Sequence, residues 1–144
     1  TSERFLYYQP AELENSNANS NSITSTIIDR EEKLWIGTEN DGIKVYKNKT
    51  PADENLLFEL NGESKNKFSL SSNSITYIFE DDEGLVWIGT PGYGLNKFNP
   101  VTKQIEIFKN EKDNPNTLPG DFIHTVIQDR AGLIWIGTGR NGLC

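Results

Sequence analysis

Methionine is absent from the 144-residue sequence, cysteine and histidine occur once each, and acidic residues outnumber basic ones 21 to 14. The single Cys144 excludes an intramolecular disulfide and a cysteine-based metal cluster. It stands last in the sequence, where a free thiol reads as a chain-end feature and not as a reactive site. With His124 as the sole histidine, catalysis would need partners that the sequence does not place beside it, so a strand-face role is expected. A net charge of -7 and a pI of about 4.7 argue against phosphate-backbone binding or docking on an anionic membrane, and the basic residues do not cluster. No apolar run approaches the roughly 20 residues of a membrane-spanning helix, and no charged and apolar leader opens the sequence. Because Met is missing, Thr1 is not read as a translation start; a removed leader or a longer parent chain is expected. Metal-spaced clusters and the phosphate-cradling GxGxxG pattern are missing as well, so no cofactor or metal is expected. No stretch carries a convincing helical period.

What the sequence does have is repetition. Trp35-Ile36-Gly37-Thr38 returns as Trp87-Ile88-Gly89-Thr90 and again as Trp135-Ile136-Gly137-Thr138, and every Trp in the chain belongs to this motif. Seven residues after each Trp stands a Gly followed by an aliphatic residue: Gly42-Ile43, Gly94-Leu95 and Gly142-Leu143. Before each motif lies a β-branched run whose leading Ile (Ile23, Ile75, Ile123) precedes the Trp by 12 residues. The two are joined by an Asp-initiated turn that closes on Gly84 and Gly132 in the second and third copies, as a hairpin turn with a left-handed last residue requires. After the motif come a third run, Ile43-Lys44-Val45-Tyr46 or Leu95-Asn96-Lys97-Phe98, and a fourth, Leu57-Phe58-Glu59-Leu60 or Ile105-Glu106-Ile107-Phe108.

The period is 52 residues from Trp35 to Trp87 and 48 from Trp87 to Trp135. Four short antiparallel strands per unit of about 50 residues match a β-propeller blade. The expected architecture is therefore all-β, an incomplete propeller of about three four-stranded antiparallel blades. Residues 1–10 would be the outer strand of a preceding blade, with Phe5-Leu6-Tyr7-Tyr8 as its run, followed by blades at 21–62 and 73–110 and a truncated blade at 121–144. In such a stack the Trp is expected to act as an apolar plate against the neighbouring blade. The Gly of the motif would permit close approach, and the Thr would be a β-branched strand end. Core packing explains three Trp at one repeated position better than a row of binding platforms does. The carboxylates Asp29, Asp81, Asp82 and Asp129 fall in equivalent turns, too dispersed for an acid/base pair, and are assigned to turn chemistry.

The full pattern, Asn73-Ser74-Ile75-Thr76, Asp81-Asp82-Glu83-Gly84, Val86-Trp87-Ile88-Gly89-Thr90 and Gly94-Leu95-Asn96-Lys97-Phe98-Asn99-Pro100, resembles the two-component regulator propeller repeat. The resemblance implies a periplasmic piece of the sensor region of a membrane-bound histidine kinase, often of the hybrid kind found in Bacteroides, that detects polysaccharide breakdown products. No phosphotransfer residue carries over. The first copy departs from the pattern, with Glu32-Lys33 in place of Gly-Leu and Ser25 in place of an apolar residue; both departures are expected to weaken the first hairpin.

Because the packing motif is common to every blade, a ligand is better sought among unlike residues on the face shared by the second-to-third and fourth-to-first loops. Those residues are Glu39, Asn40, Asp41, Tyr93, Arg140 and Asn141, which offer charge, hydrogen bonding and one ring suited to an oligosaccharide. No catalytic residue is assigned. A propeller-fold lyase or other carbohydrate-active enzyme, and an interaction scaffold without a small ligand, are the alternatives. About three blades cannot close a ring, so a homo-oligomer or the remainder of a longer propeller chain is the expected partner; no nucleic acid or membrane contact is expected of this segment.

Overall fold

The computed structural model describes residues 22–49, 51–63 and 69–144; the strand expected at residues 5–8 lies outside them. Three antiparallel sheets follow one another along the chain. The first contains β1 (Ile23–Ile28), β2 (Leu34–Thr38), β3 (Ile43–Tyr46) and β4 (Leu56–Leu60) in the order β1-β2-β3-β4. The second repeats it with β5 (Tyr77–Glu80), β6 (Val86–Gly89), β7 (Leu95–Phe98) and β8 (Ile105–Phe108). The third is three-stranded: β9 (Ile123–Gln128), β10 (Ile134–Thr138) and a two-residue β11 (Gly142–Leu143). The sheets are propeller blades in meander order. One turn of 3-10 helix, Asp53–Asn55, leads into β4.

Local chemistry explains why the first two strands of every blade form a hairpin. The turn aspartate accepts two backbone N–H groups on Oδ1, from Glu31 and Lys33 at 2.9 Å in the first blade and from Glu83 and Leu85 at 2.9 Å in the second. The residue that closes the turn is left-handed, Gly84 at φ 81 and Gly132 at φ 85. Glu32 takes the same conformation at φ 63 in the first blade, where the repeat lacks its glycine. The second hairpin turn is closed by glycine for a steric reason. At Gly42 and Gly94 an added Cβ would lie 2.1 and 2.2 Å from the carbonyl oxygens of Leu60 and Phe108 on the fourth strand.

The blades then pack face to face. Trp35 is fully buried, with its ring edge-on to Phe98 of the second blade at 5.9 Å and to Phe58 of its own at 5.8 Å. Burial on this scale makes truncation to Ala cost about 3–5 kcal/mol. Ile75, Ile78, Val86 and Ile88 complete this core, and Ile123, Val126, Leu95 and Leu118 form the next one between the second and third blades. Gly37 and Gly89 sit where the leading Ile of the following blade lands. A Cβ there would approach Ile75 Cγ2 to 2.9 Å and Ile123 Cγ2 to 2.8 Å, so the close approach allowed for in the motif is made by a side chain.

Two local expectations are corrected. The leading strand of the second blade starts at Tyr77 and not at Ile75: pairing with β6 begins at Tyr77–Gly89, whereas in the third blade Ile123 still pairs with Thr138. Ser25 does not merely weaken the first hairpin: its hydroxyl accepts the Ile78 N–H at 3.0 Å and so ties the first blade to the second. Beside it, Arg30 reaches Glu80 Oε1 at 2.9 Å and the Asp81 carbonyl at 2.7 Å.

Candidate functional site

The β2–β3, β6–β7 and β10–β11 loops share one face with the loops that connect successive blades. A regular set of backbone bonds holds them together. Gly42 N–H reaches the Asn73 carbonyl at 2.8 Å, and Gly94 N–H reaches the Asp121 carbonyl at 2.9 Å. Each motif threonine braces its loop by donating from its hydroxyl to the carbonyl of the glycine four residues on. The distances are 3.0 Å for Thr38–Gly42, 2.7 Å for Thr90–Gly94 and 2.8 Å for Thr138–Gly142. The threonine is thus a loop brace as well as a strand end, which puts the loop backbone in a set place before any variable side chain is considered.

On that scaffold the residues singled out from the sequence divide into two groups. Glu39, Asn40 and Asp41 are exposed on the β2–β3 loop of the first blade, where Asp41 N–H is accepted by Thr38 Oγ1 at 2.9 Å. Tyr93, Arg140 and Asn141 lie at the second and third blades, and the 121–124 segment joins their loops. Pro91 bridges to Phe122, Gly92 N–H reaches the Asp121 carbonyl at 3.2 Å, and Gly139 N–H reaches the Phe122 carbonyl at 2.8 Å. Asn141 is partly committed to architecture, since its Nδ2 donates to the Pro119 carbonyl at 2.5 Å. Arg140 holds a left-handed backbone at φ 67.

The same neighbourhood contains two residues not included among the sequence candidates. Phe122 is 41% exposed and Tyr93 54% exposed. His124 is exposed on β9 as a strand-face residue, its ring 4.8 Å from that of Phe122 at a tilt of 44°. Gly139 leaves room for the pair: a Cβ there would meet His124 Nε2 at 3.0 Å and Phe122 Cδ1 at 3.3 Å. The signal was in the repeat itself. Where the second copy reads Asn73-Ser74-Ile75-Thr76, the third reads Asp121-Phe122-Ile123-His124, so the ring and the imidazole occupy the two positions that elsewhere carry Ser and Thr.

The arrangement offers two exposed rings, an imidazole, a guanidinium and an amide on one open face. Such a set suits contact with the C–H faces and hydroxyls of a polar ligand. Among the described residues, no three of His, Cys, Asp and Glu are grouped as a metal ion would require.

Comparison with known proteins places the repeats in a family. The model described as "Two component regulator propeller" matches residues 17–40, 69–92 and 117–140. No curated protein matches significantly. Among solved structures, the extracellular domain of a protein described as a hybrid two component system from B. thetaiotaomicron is 27% identical, with a TM-score of 0.69 over 88% of this chain and 16% of its own. A second such extracellular domain from the same organism is 19% identical, with a TM-score of 0.66 over 87% of this chain and 17% of its own. PorZ of Porphyromonas gingivalis, a surface component of the type-IX secretion system, is 22% identical, with a TM-score of 0.67, again over 87% of this chain and 17% of its own. At these lower identities the likeness shows the fold alone. The chain spans about a sixth of the length of these solved chains.

Proposed function

The chain belongs to the two-component regulator propeller family, and from that premise we propose that it is part of the ligand-sensing extracellular propeller of a two-component sensor histidine kinase. In this reading the segment is non-catalytic and lies on the periplasmic side of the inner membrane. It contributes a surface for oligosaccharides or other polysaccharide-derived ligands, whose binding is passed on as a change in how the blades pack. The observation that carries the reading is a division of labour within the repeat. Residues common to the blades, such as Trp35, Gly37 and Thr38, are buried or brace loops. Of the residues unlike between blades, Phe122 and His124 stack, and Tyr93 and Arg140 stand on loops whose backbones bond to the same 121–122 segment.

The test is calorimetry of the parent ectodomain against a panel of oligosaccharides, repeated with Tyr93→Ala and Phe122→Ala. Loss of a stacked ring should weaken a bound sugar about tenfold, equivalent to about 1–1.5 kcal/mol. Binding by no member of the panel, or binding unchanged in both variants, would remove this face from consideration.

A further inference from the structure

A second groove lies on the opposite side of the blades, among the β1–β2 and β7–β8 turns. It has a volume of about 760 Å³ and is open to solvent, with Lys33, Leu57 and Phe58 from the first blade and Phe98, Thr102 and Lys103 from the second among its lining residues. Leu57, Phe58, Leu60 and Phe98 make most of its lining apolar, and Lys33, Lys103 and Glu59 bring charge of both signs to it.

Lys103 is held there by its turn. Asn99 Oδ1 accepts the N–H groups of Val101 and Thr102 at 2.9 and 3.1 Å, the Asn99 carbonyl accepts Lys103 N–H at 2.8 Å, and Lys103 itself sits at φ 60. A side chain in that backbone region is rare outside glycine and asparagine. Here it accompanies a reach back across the blade interface, with Nζ 4.1 Å from the centre of the Phe58 ring and 5.8 Å from that of Phe98. The nearby carboxylates are paired, Glu31 with Lys33 and Glu59 with Lys44 at 3.7 Å, so Lys33 already has a counter-ion. Among the described residues no carboxylate lies within ion-pair distance of Lys103. Partial burial, and then the nearby Lys33 charge, lower the basicity of the Lys103 amine, with Glu31 opposing them. An anion entering the groove would relieve that repulsion.

The position of Lys33 adds an independent observation. It is one of the departures of the first copy from the repeat, and its equivalents are Leu85 and Leu133; the equivalent of Phe58 is Glu106. Beside the second blade, a pocket lined by Leu85, Lys97 and Glu106 among others carries a leucine and a carboxylate at the positions of Lys33 and Phe58.

We propose that this groove is a second ligand site, for a small organic carboxylate that lays an apolar or C–H face against Phe58 and Leu57 and presents its carboxylate to Lys103, beside the Glu31-paired Lys33. The site stands on residues of the opposite face and does not depend on the loop-face reading above. Benzoate and glucuronate share the required chemistry and separate an aromatic from a sugar source. Each is titrated into the protein while the Lys ε-methylene and Phe ring signals are followed by NMR, with benzyl alcohol and inorganic sulfate as controls. Saturable shifts with at least one carboxylate, weakened tenfold or more in both Lys103→Gln and Lys33→Leu, are expected, with none from benzyl alcohol. Lys33→Leu installs the residue of the other two copies and so preserves the fold. Shifts that persist in both variants, no saturation with either carboxylate, or an equal response to sulfate would overturn the proposal and leave Lys103 as a cation–π tie between blades.

Discussion

Asp29, Asp81 and Asp129 do more than start turns. While Oδ1 of each accepts two backbone N–H groups, Oδ2 accepts the indole N–H of the motif Trp six residues on, at 2.8 Å in the first blade, 2.7 Å in the second and 2.9 Å in the third. One carboxylate therefore sets the hairpin turn and orients the plate that packs between blades. Asp81→Asn keeps the size but loses one of the two acceptor oxygens, leaving an amide N–H₂ facing the Trp87 indole or the turn N–H groups. We predict a loss of about 1–3 kcal/mol, measured as a lower urea midpoint with an unchanged slope. Asp129 gives a pH-dependent form of the same prediction. Its hydrogen bond from Trp135, followed by that from Leu133, holds its carboxyl below the ordinary aspartate value. The sign follows from linkage: a depressed acid stabilises the fold above its unfolded value, and that contribution disappears as pH falls through the lowered folded value. The Trp135 indole N–H resonance should thus move on acidification with a midpoint below that of an ordinary aspartate. A shift centred within the usual range would contradict it.

At the scale of the element, the second hairpin of each blade depends on one glycine more than on its neighbours. Gly92 and Gly94 flank Tyr93 and both have positive φ, at 94 and 86. A Cβ at Gly92 meets nothing within 4 Å, whereas one at Gly94 would fall 2.2 Å from the Phe108 carbonyl. Gly92→Ala should therefore cost only the strain of a left-handed alanine, about 1–2 kcal/mol. Gly94→Ala adds a backbone collision, and should cost more and disturb β8. Thermal melts of the two variants decide the point, and equal losses would mean that conformation alone governs the site. The cross-strand pairs Lys44–Glu59 and Lys97–Glu106 stand on neighbouring rungs of the two complete blades and so on opposite sheet faces; as largely exposed pairs they add little to stability.

In the molecule as a whole, burial of the motif Trp falls along the stack. Trp35 is completely buried, whereas Trp135 is 38% exposed because no further blade lies against the outer face of the third sheet in this structure. Ile127, Leu133 and Leu143 are exposed with it. We propose that this face associates with a second copy or with further blades of a parent chain. The isolated protein should then show a concentration-dependent mass by light scattering that Trp135→Glu abolishes. A monodisperse monomer across the concentration range would remove the second copy as an occupant. Trp35→Ala should cost several times more stability than Trp135→Ala, since only the first leaves a closed cavity.

The repeat of Trp-Ile-Gly-Thr, the Asp-initiated turns and the alternating third and fourth runs were enough, without coordinates, to determine the all-β propeller class and the antiparallel strands of the two complete blades. Those features are local or periodic, and each residue's role there depends on neighbours within its own hairpin. Tertiary structure alone decided what crosses between blades: the Ser25 and Arg30 ties, the landing of Ile75 and Ile123 on Gly37 and Gly89, and the bonding of the Tyr93 loop to the segment that carries Phe122. It also brought Lys33 and Lys103 to one groove, although 70 residues separate them in the chain. Such contacts join positions in different blades, and their geometry is set by the angle and spacing of packed sheets, which no local pattern encodes.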